Sequence, residues 1–222
     1  MSGYPRPGLV FAGMVLITTA MAVPVNAQMI TPQQIEKKRE KDKAKLLKLT
    51  PFDFQKAVEL KDDDLETIAT LTTAKGFRAT GGLFDIQGSD VMLRAHVNKR
   101  TGEASYQVYA YIWYKETQER RYQSVNYQNG GEIGSATVNN LASRVISCDE
   151  YSATLGCSRS EEFVFPVSEE LLESIAARSA GQFWRMKFRA QAGIDWEEIF
   201  APAEAAGLLA AIASYKSSRG LD

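Results

Sequence analysis

The chain has 222 residues, with 26 Lys and Arg against 27 Asp and Glu, one His, two Cys and 45% hydrophobic residues. A formal net charge of -1 removes the electrostatic case for a nucleic-acid binder, because phosphate recognition needs a clear excess of cationic side chains. One His and two Cys also exclude, within a single chain, a structural zinc site of four cysteines or of two cysteines and two histidines.

Residues 1–27 read as a secretory signal. Arg6 is the only charge there, an apolar run extends from Leu9 to Ala22, Pro24 breaks the helix, and Val25-Asn26-Ala27 offers small residues for a signal peptidase. The run is shorter than the roughly 20 apolar residues needed to span a bilayer. No Cys lies near the cleavage point, so a lipoprotein anchor is not expected. The reading predicts a mature N-terminus at Gln28 and a periplasmic or secreted location.

Residues 28–50 form a basic helical arm. Thr31 at the N-cap, Pro32 at the first helical position and Gln34 at the third make a helix start of the capping-box kind. Residues 35–49 hold seven basic and three acidic side chains, whereas the chain from Pro51 onward holds 18 basic against 24 acidic. Apolar residues gather only at the end of the arm, in Leu46, Leu47 and Leu49, which leaves too narrow a stripe to bury the whole helix. Lys37, Lys38, Arg39, Lys41 and Lys45 are therefore the candidate contacts with an anionic surface, either a membrane or an acidic partner.

Residues 51–222 are expected to fold as a single α+β domain. Thr50-Pro51 opens a second helix, with Phe52, Phe54, Ala57 and Val58 available for docking. From Asp64 the period changes to two, with Leu65, Thr67, Ala69 and Leu71 sharing one strand face. Asp62-Asp63-Asp64 lacks the alternating ligands and the Gly of a calcium loop and reads as a solvated turn. A strand over Phe77–Ile86 is interrupted by Gly81-Gly82.

The clearest supersecondary unit is a hairpin of residues 91–97 and 104–115 around Asn98-Lys99-Arg100-Thr101-Gly102-Glu103. With Val97 opposite Ala104, the residues Val91, Leu93, Ala95 and Val97 share a core face with Tyr106, Val108, Ala110 and Ile112. The opposite face carries Met92, Arg94 and His96 beside Ser105, Gln107, Tyr109, Tyr111 and Trp113. A slip of one residue would exchange the faces.

Further strands are predicted at Arg120–Tyr127, before an Asn129-Gly130-Gly131 turn, within Ile133–Cys148 as one long or two shorter pieces, and at Ser160–Val167. Cys148 and Cys157, across a polar stretch ending in Gly156, suit a disulfide staple in an oxidising compartment. Ser168 caps a helix through Leu171, Leu172 and Ile175, with Arg178 in its last turn and Gly181 ending it. A final strand spans Phe183–Ala190, and Pro202 opens a helix packed through Leu208, Leu209, Ile212 and Tyr215. The fold class that follows is α+β. A mostly antiparallel sheet of about six to eight strands is expected, with the basic N-terminal helix and two C-terminal helices packed on the sheet.

For chemistry, His96 is the sole candidate for a His-based general base, but a neighbouring Arg94 disfavours its charged form and no carboxylate is near in sequence. Neither Gly81-Gly82 nor Gly130-Gly131-x-x-Gly134 has a phosphate-loop spacing, and G-x-S-x-G and H-E-x-x-H are absent. No catalytic residue, metal site or cofactor is assigned. The remaining constellation is a binding face of Arg94, His96, Gln107, Tyr109, Tyr111 and Trp113, joined by Tyr122 and Tyr127 on the next strand. The function these features predict is a non-catalytic binding or scaffolding protein of the bacterial cell envelope, with a protein or envelope component as partner. The alternatives are an envelope hydrolase using carboxylates or His96, and a proteinaceous inhibitor of an envelope-directed enzyme. The intact mass of the exported protein should match residues 28–222, and recovery of the uncleaved chain in membranes would contradict the signal.

Overall fold

The computed structural model describes residues 37, 40, 41, 43–73, 89–148, 154 and 156–221. The signal, the arm's N-cap, the expected strand at 77–86 and most of the polar stretch between the cysteines lie outside the described residues. Helix α1 (Pro51–Lys56) starts where expected, because the Thr50 N–H donates to Asp53 at 2.8 Å while the Thr50 hydroxyl accepts from the Asp53 N–H. There follow β1 (Glu59–Lys61), β2 (Ile68–Thr72), β3 (Asp90–Asn98), β4 (Ala104–Glu116), β5 (Tyr122–Asn129), β6 (Glu132–Thr137), β7 (Asn139–Ser147) and β8 (Cys157–Val167). The chain closes with α2 (Glu169–Ala176), β9 (Trp184–Ala190), β10 (Trp196–Phe200) and α3 (Pro202–Arg219).

The strands form a six-stranded sheet, in the order β1-β2-β3-β4-β8-β7, and a four-stranded sheet, in the order β10-β9-β5-β6. Every pairing is antiparallel. The class expected from sequence, mostly antiparallel β with helices, is thus present, but there are ten described strands and two sheets. The count was short for physical reasons. β1 and β10 are brief and charged, so their neighbours make them strands, and the stretch after Ile133 is two strands that belong to different sheets, parted at buried Val138. β2 also begins later than its pattern implies: Leu65 is 93% exposed, and only Ala69 and Leu71 face the core.

The β3–β4 register has Val97 opposite Ala104 and Val91 opposite Ala110, as the turn length implies. Its inner face, Val91, Leu93, Ala95, Val97, Tyr106, Val108, Ala110, Ile112 and Tyr114, is buried. Phe163, Phe165 and Val167 of β8 extend that face. The four-stranded sheet packs on it through rings: Tyr122 meets Phe163 at 4.9 Å between centroids, and Phe188 meets Phe163 at 5.0 Å and Phe165 at 5.9 Å. Towards β2 and β3 the cover is instead α3, through Leu208, Ile212 and Tyr215, with α2 against α3. Ser168 caps α2 by accepting from Leu171 N–H, but the helix ends at Ala176, short of the expected Arg178 and Gly181, with its carbonyls taken up by Ala177 and Arg178 N–H.

The β5–β6 turn is a two-residue hairpin in which Gly130 and Gly131 have φ of 58° and 97°, the left-handed conformation that glycine adopts without strain. The disulfide Cys148–Cys157 joins the end of β7 to the start of β8. Gly156 beside it has φ of 81°, and a Cβ there would meet the Glu116 carbonyl carbon at 1.9 Å, so the staple and the end of β4 require a glycine. Asp62 departs from the solvated turn read from sequence. Its side chain is 9% exposed and binds Lys99 at 2.8 Å, the Tyr215 hydroxyl at 3.1 Å and Arg219, tying α3 to β1 and to the β3–β4 turn.

The crossing from the first sheet to the second is held by Glu161, which is 3% exposed on β8. One carboxylate oxygen accepts from the Tyr114 hydroxyl and from the backbone N–H of Arg120 at 3.1 Å and Arg121 at 3.0 Å; the other accepts from Tyr122 N–H at 3.2 Å. Arg121 has φ of 55°, a conformation that costs any residue with a Cβ energy and persists because its N–H is bound here. Removing the acceptor leaves several buried donors unmet, each worth about 1–3 kcal/mol. Glu161→Ala is therefore expected to lower stability by at least about 3 kcal/mol in urea unfolding, and Glu161→Gln by less. An unchanged midpoint for Glu161→Ala would remove this account of the crossing.

Candidate functional site

Residues directly opposite one another in an antiparallel sheet point to the same face, so the pairings define the outer face of the six-stranded sheet. Across β2, β3, β4 and β8, one row is Thr72, Arg94, Gln107 and Pro166, and the next is Met92, Tyr109 and Val164. Asp90, Tyr111, Glu162 and Ala142 form a third row, and Trp113, Ser160 and Arg144 a fourth. All six predicted binding residues, Arg94, His96, Gln107, Tyr109, Tyr111 and Trp113, lie on this face and are partly exposed. Met92, Val164, Thr72 and Ser160 on the same face are buried, which confines the accessible part to the larger side chains.

A chain of polar contacts crosses the strands. Arg94 Nε donates to Thr72 Oγ1 at 3.3 Å, and its guanidinium lies 4.1 Å from the centroid of the Tyr109 ring. The Tyr109 hydroxyl donates to Glu162 Oε2 at 2.7 Å, and Arg144 approaches the other Glu162 oxygen at 3.6 Å. Burial, and then the bond to Glu162, push Tyr109 up to about 12, so it stays a neutral donor. Burial also lowers the Arg94 pKa from its ordinary value, against the favourable charges of Tyr109 and Glu162.

His96 has both ring nitrogens engaged, Nδ1 with Thr70 Oγ1 at 3.1 Å and Nε2 with Gln107 Nε2 at 3.0 Å. An amide nitrogen donates, so Nε2 accepts and the ring proton sits on Nδ1, facing Thr70. Burial first, and the Arg94 charge second, lower its pKa. The ring thus bridges β2, β3 and β4 as a neutral group. Neither nitrogen is left to take a proton from a substrate without breaking one of these bonds.

The remaining sequence candidates fall elsewhere. Tyr122 and Tyr127 do not extend the aromatic face: β5 belongs to the other sheet, and Tyr122 is fully buried in the core. Lys37, Lys41 and Lys45 are helical and exposed at four-residue spacing, hence on one side of the arm, while Lys38 and Arg39 lie outside the described residues. Leu46 at the end of the arm is buried with Phe54 and Ala201. The acidic run at Asp195, Glu197 and Glu198 serves the β9–β10 hairpin, with Asp195 on Arg189 at 2.8 Å and Glu197 on Lys187 at 2.7 Å. A shallow cleft of about 310 Å³ between the β5–β6 turn and α2, lined by Tyr127, Asn129, Glu170 and Ser174 among others, holds none of the six residues of the outer face.

Sequence reasoning missed Glu162, Arg144, Thr70 and Thr72. The alternation of Glu162 with Phe163 and Phe165 signals only that Glu162 points away from the core. Its neighbour Tyr109 follows from the long-range β4–β8 pairing. Among the described residues no group of three or more His, Cys, Asp and Glu side chains is placed to hold a metal ion, and no helix is long and apolar enough to cross a membrane. Comparison with protein-family models, curated protein sequences and solved structures finds no match to this chain.

Because His96 is the only imidazole and its folded pKa is lowered, the unfolded chain takes up this proton first as pH falls through 6.5. Stability should therefore decline on acidification below about 6.5, and a His96→Gln variant should lack that component. Ring NMR signals should titrate below 6.5; a midpoint at or above 6.5 would contradict the burial of the ring.

Proposed function

We propose that the protein is an exported, non-catalytic binding protein of the bacterial cell envelope that holds its partner on the outer face of the six-stranded sheet. The observation that carries this reading is the set of unfilled donors on that face. Among the described residues the Tyr111 hydroxyl, the Trp113 indole N–H and the terminal nitrogens of Arg94 make no hydrogen bond or ion pair, while their side chains are partly exposed. Large rings with unspent polar edges supply contact area and direction to a partner. The disulfide is consistent with an oxidising compartment outside the cytoplasm, which supports export.

A second contact is favoured by the arm. Lys37, Lys41 and Lys45 line one helix side and are exposed, and the body from Pro51 onward is acidic, so the arm would meet an anionic membrane surface or an acidic partner without help from the rest of the chain.

The test is retention of isolated cell-envelope components by the immobilised mature protein. A Tyr111→Ala, Trp113→Ala double variant with unchanged circular dichroism and Tm should lose at least tenfold of the retained material. Replacement of Lys37, Lys41 and Lys45 by Gln should reduce only the fraction released by salt. Equal retention by the double variant would move the binding site off this face.

A further inference from the structure

We infer that the outer face of the six-stranded sheet takes a carboxylate-bearing saccharide, with its carboxylate on Arg94 and its sugar rings along Tyr111 and Trp113; this rests on the binding face argued above. The inference begins with Arg94. A cationic side chain taken partly out of water is normally paired with an anion, because desolvation penalises an uncompensated charge. Arg94 is partly buried, yet among the described residues no carboxylate oxygen lies within ion-pair distance of it, and only its Nε has an acceptor, Thr72. Glu162, the carboxylate across the Tyr109 ring, is held by Tyr109 and Arg144 instead. The guanidinium is meanwhile positioned: Nε is bound and its plane is supported by the ring 4.1 Å away. A guanidinium so held offers its terminal nitrogens as a fork, the geometry that matches a carboxylate.

The rest of the face narrows the class. Tyr109, Tyr111 and Trp113 alternate on β4, so their Cα atoms follow one another at about 6.8 Å and the row runs about 14 Å along the strand from the Arg94 end. The groups along it without partners among the described residues, the Tyr111 hydroxyl and the Trp113 indole N–H, can both donate. Most acceptors beside them are engaged, Thr72 by Arg94, His96 Nε2 by Gln107, Thr70 by His96, Glu162 by Tyr109 and Asp90 by the Val91 N–H, while the Gln107 side-chain carbonyl has no donor among the described residues. A peptide brings backbone N–H groups that need acceptors, and this face has few to spare. A saccharide brings hydroxyl and ring oxygens that accept, and its polarised C–H groups meet the electron-rich ring faces. An acidic saccharide supplies in addition the anion that Arg94 lacks.

The experiment is a titration of the isotopically labelled mature protein, followed by amide NMR shifts, with three probes: an oligogalacturonate, its neutral oligosaccharide counterpart, and an oligoglutamate peptide. The oligogalacturonate is expected to shift residues 94, 109, 111 and 113 and to bind at least tenfold more tightly than the neutral sugar. Arg94→Gln should remove that advantage, Arg94→Lys should keep part of it, and Trp113→Ala should weaken both sugars. An Arg94→Gln chain that fails to fold is recognised by its Tm and leaves Arg94→Lys and the sugar comparison to decide. Equal binding of acidic and neutral sugars would overturn the role of Arg94 while keeping the face as a binding site. Peptide binding at the face with no sugar binding would overturn the saccharide class alone. If a partner is retained but none of the probes shifts the face, and the Tyr111→Ala, Trp113→Ala variant retains it equally, both readings fail.

Discussion

Glu161 is the constraint on which the arrangement of both sheets depends. It sits on β8 at the inner face, and it binds the three successive amides through which the chain leaves β4 for the second sheet. The irregular crossing between the two sheets has no ladder partners for these groups, and backbone donors without acceptors are rarely tolerated where the chain enters the core at Tyr122. A single carboxylate supplies them, together with the Tyr114 hydroxyl, and holds Arg121 in a backbone conformation that it would otherwise avoid. The surroundings add to the same point: the Arg120 guanidinium lies 4.5 Å from the Tyr114 ring centroid and donates to the Tyr122 hydroxyl at 3.0 Å. The disulfide and Gly156 close the end of the sheet beside Glu116.

The pleat links this constraint to the binding face. Neighbouring residues in a strand point to opposite sides, so Glu161 turns inward to the crossing and Glu162 outward to Tyr109. The pairing that puts Glu161 opposite Ile112 also puts Glu162 opposite Tyr111 and one step from Tyr109. The position of the outer network is thus set by the same register that closes the core. On that face most acceptors are taken up internally and several donors, among the described residues, are not, and the proposed preference for an acceptor-rich partner rests on this imbalance.

The hairpin of β3 and β4 was legible before any coordinates, because the connection length and the alternation of Val, Leu and Ala against Arg, His, Tyr and Trp allow one register with a buried face. Three further features read in the same way: the helix starts at Thr50-Pro51 and Ser168, the glycine turn at Gly130-Gly131, and the pairing of the only two cysteines. Each rests on local geometry or on a choice with no alternative. Other features were not legible. β10 carries adjacent glutamates and becomes a strand only beside β9. Asp62 looked solvated until α3 brought Tyr215 and Arg219 to it across the chain.

By itself the sequence determined the antiparallel hairpin, the staple and the six residues of the outer face, because period-two alternation assigns faces wherever one side must be buried. Only the tertiary structure decided that the strands divide into two sheets, that Tyr122 belongs to the core, and that Glu162 and Arg144 join the face while Arg94 has no carboxylate partner among the described residues. The reason is that pairings between distant strands depend on which buried donors find an acceptor, and that is settled when the chain closes on Glu161 rather than along any local stretch.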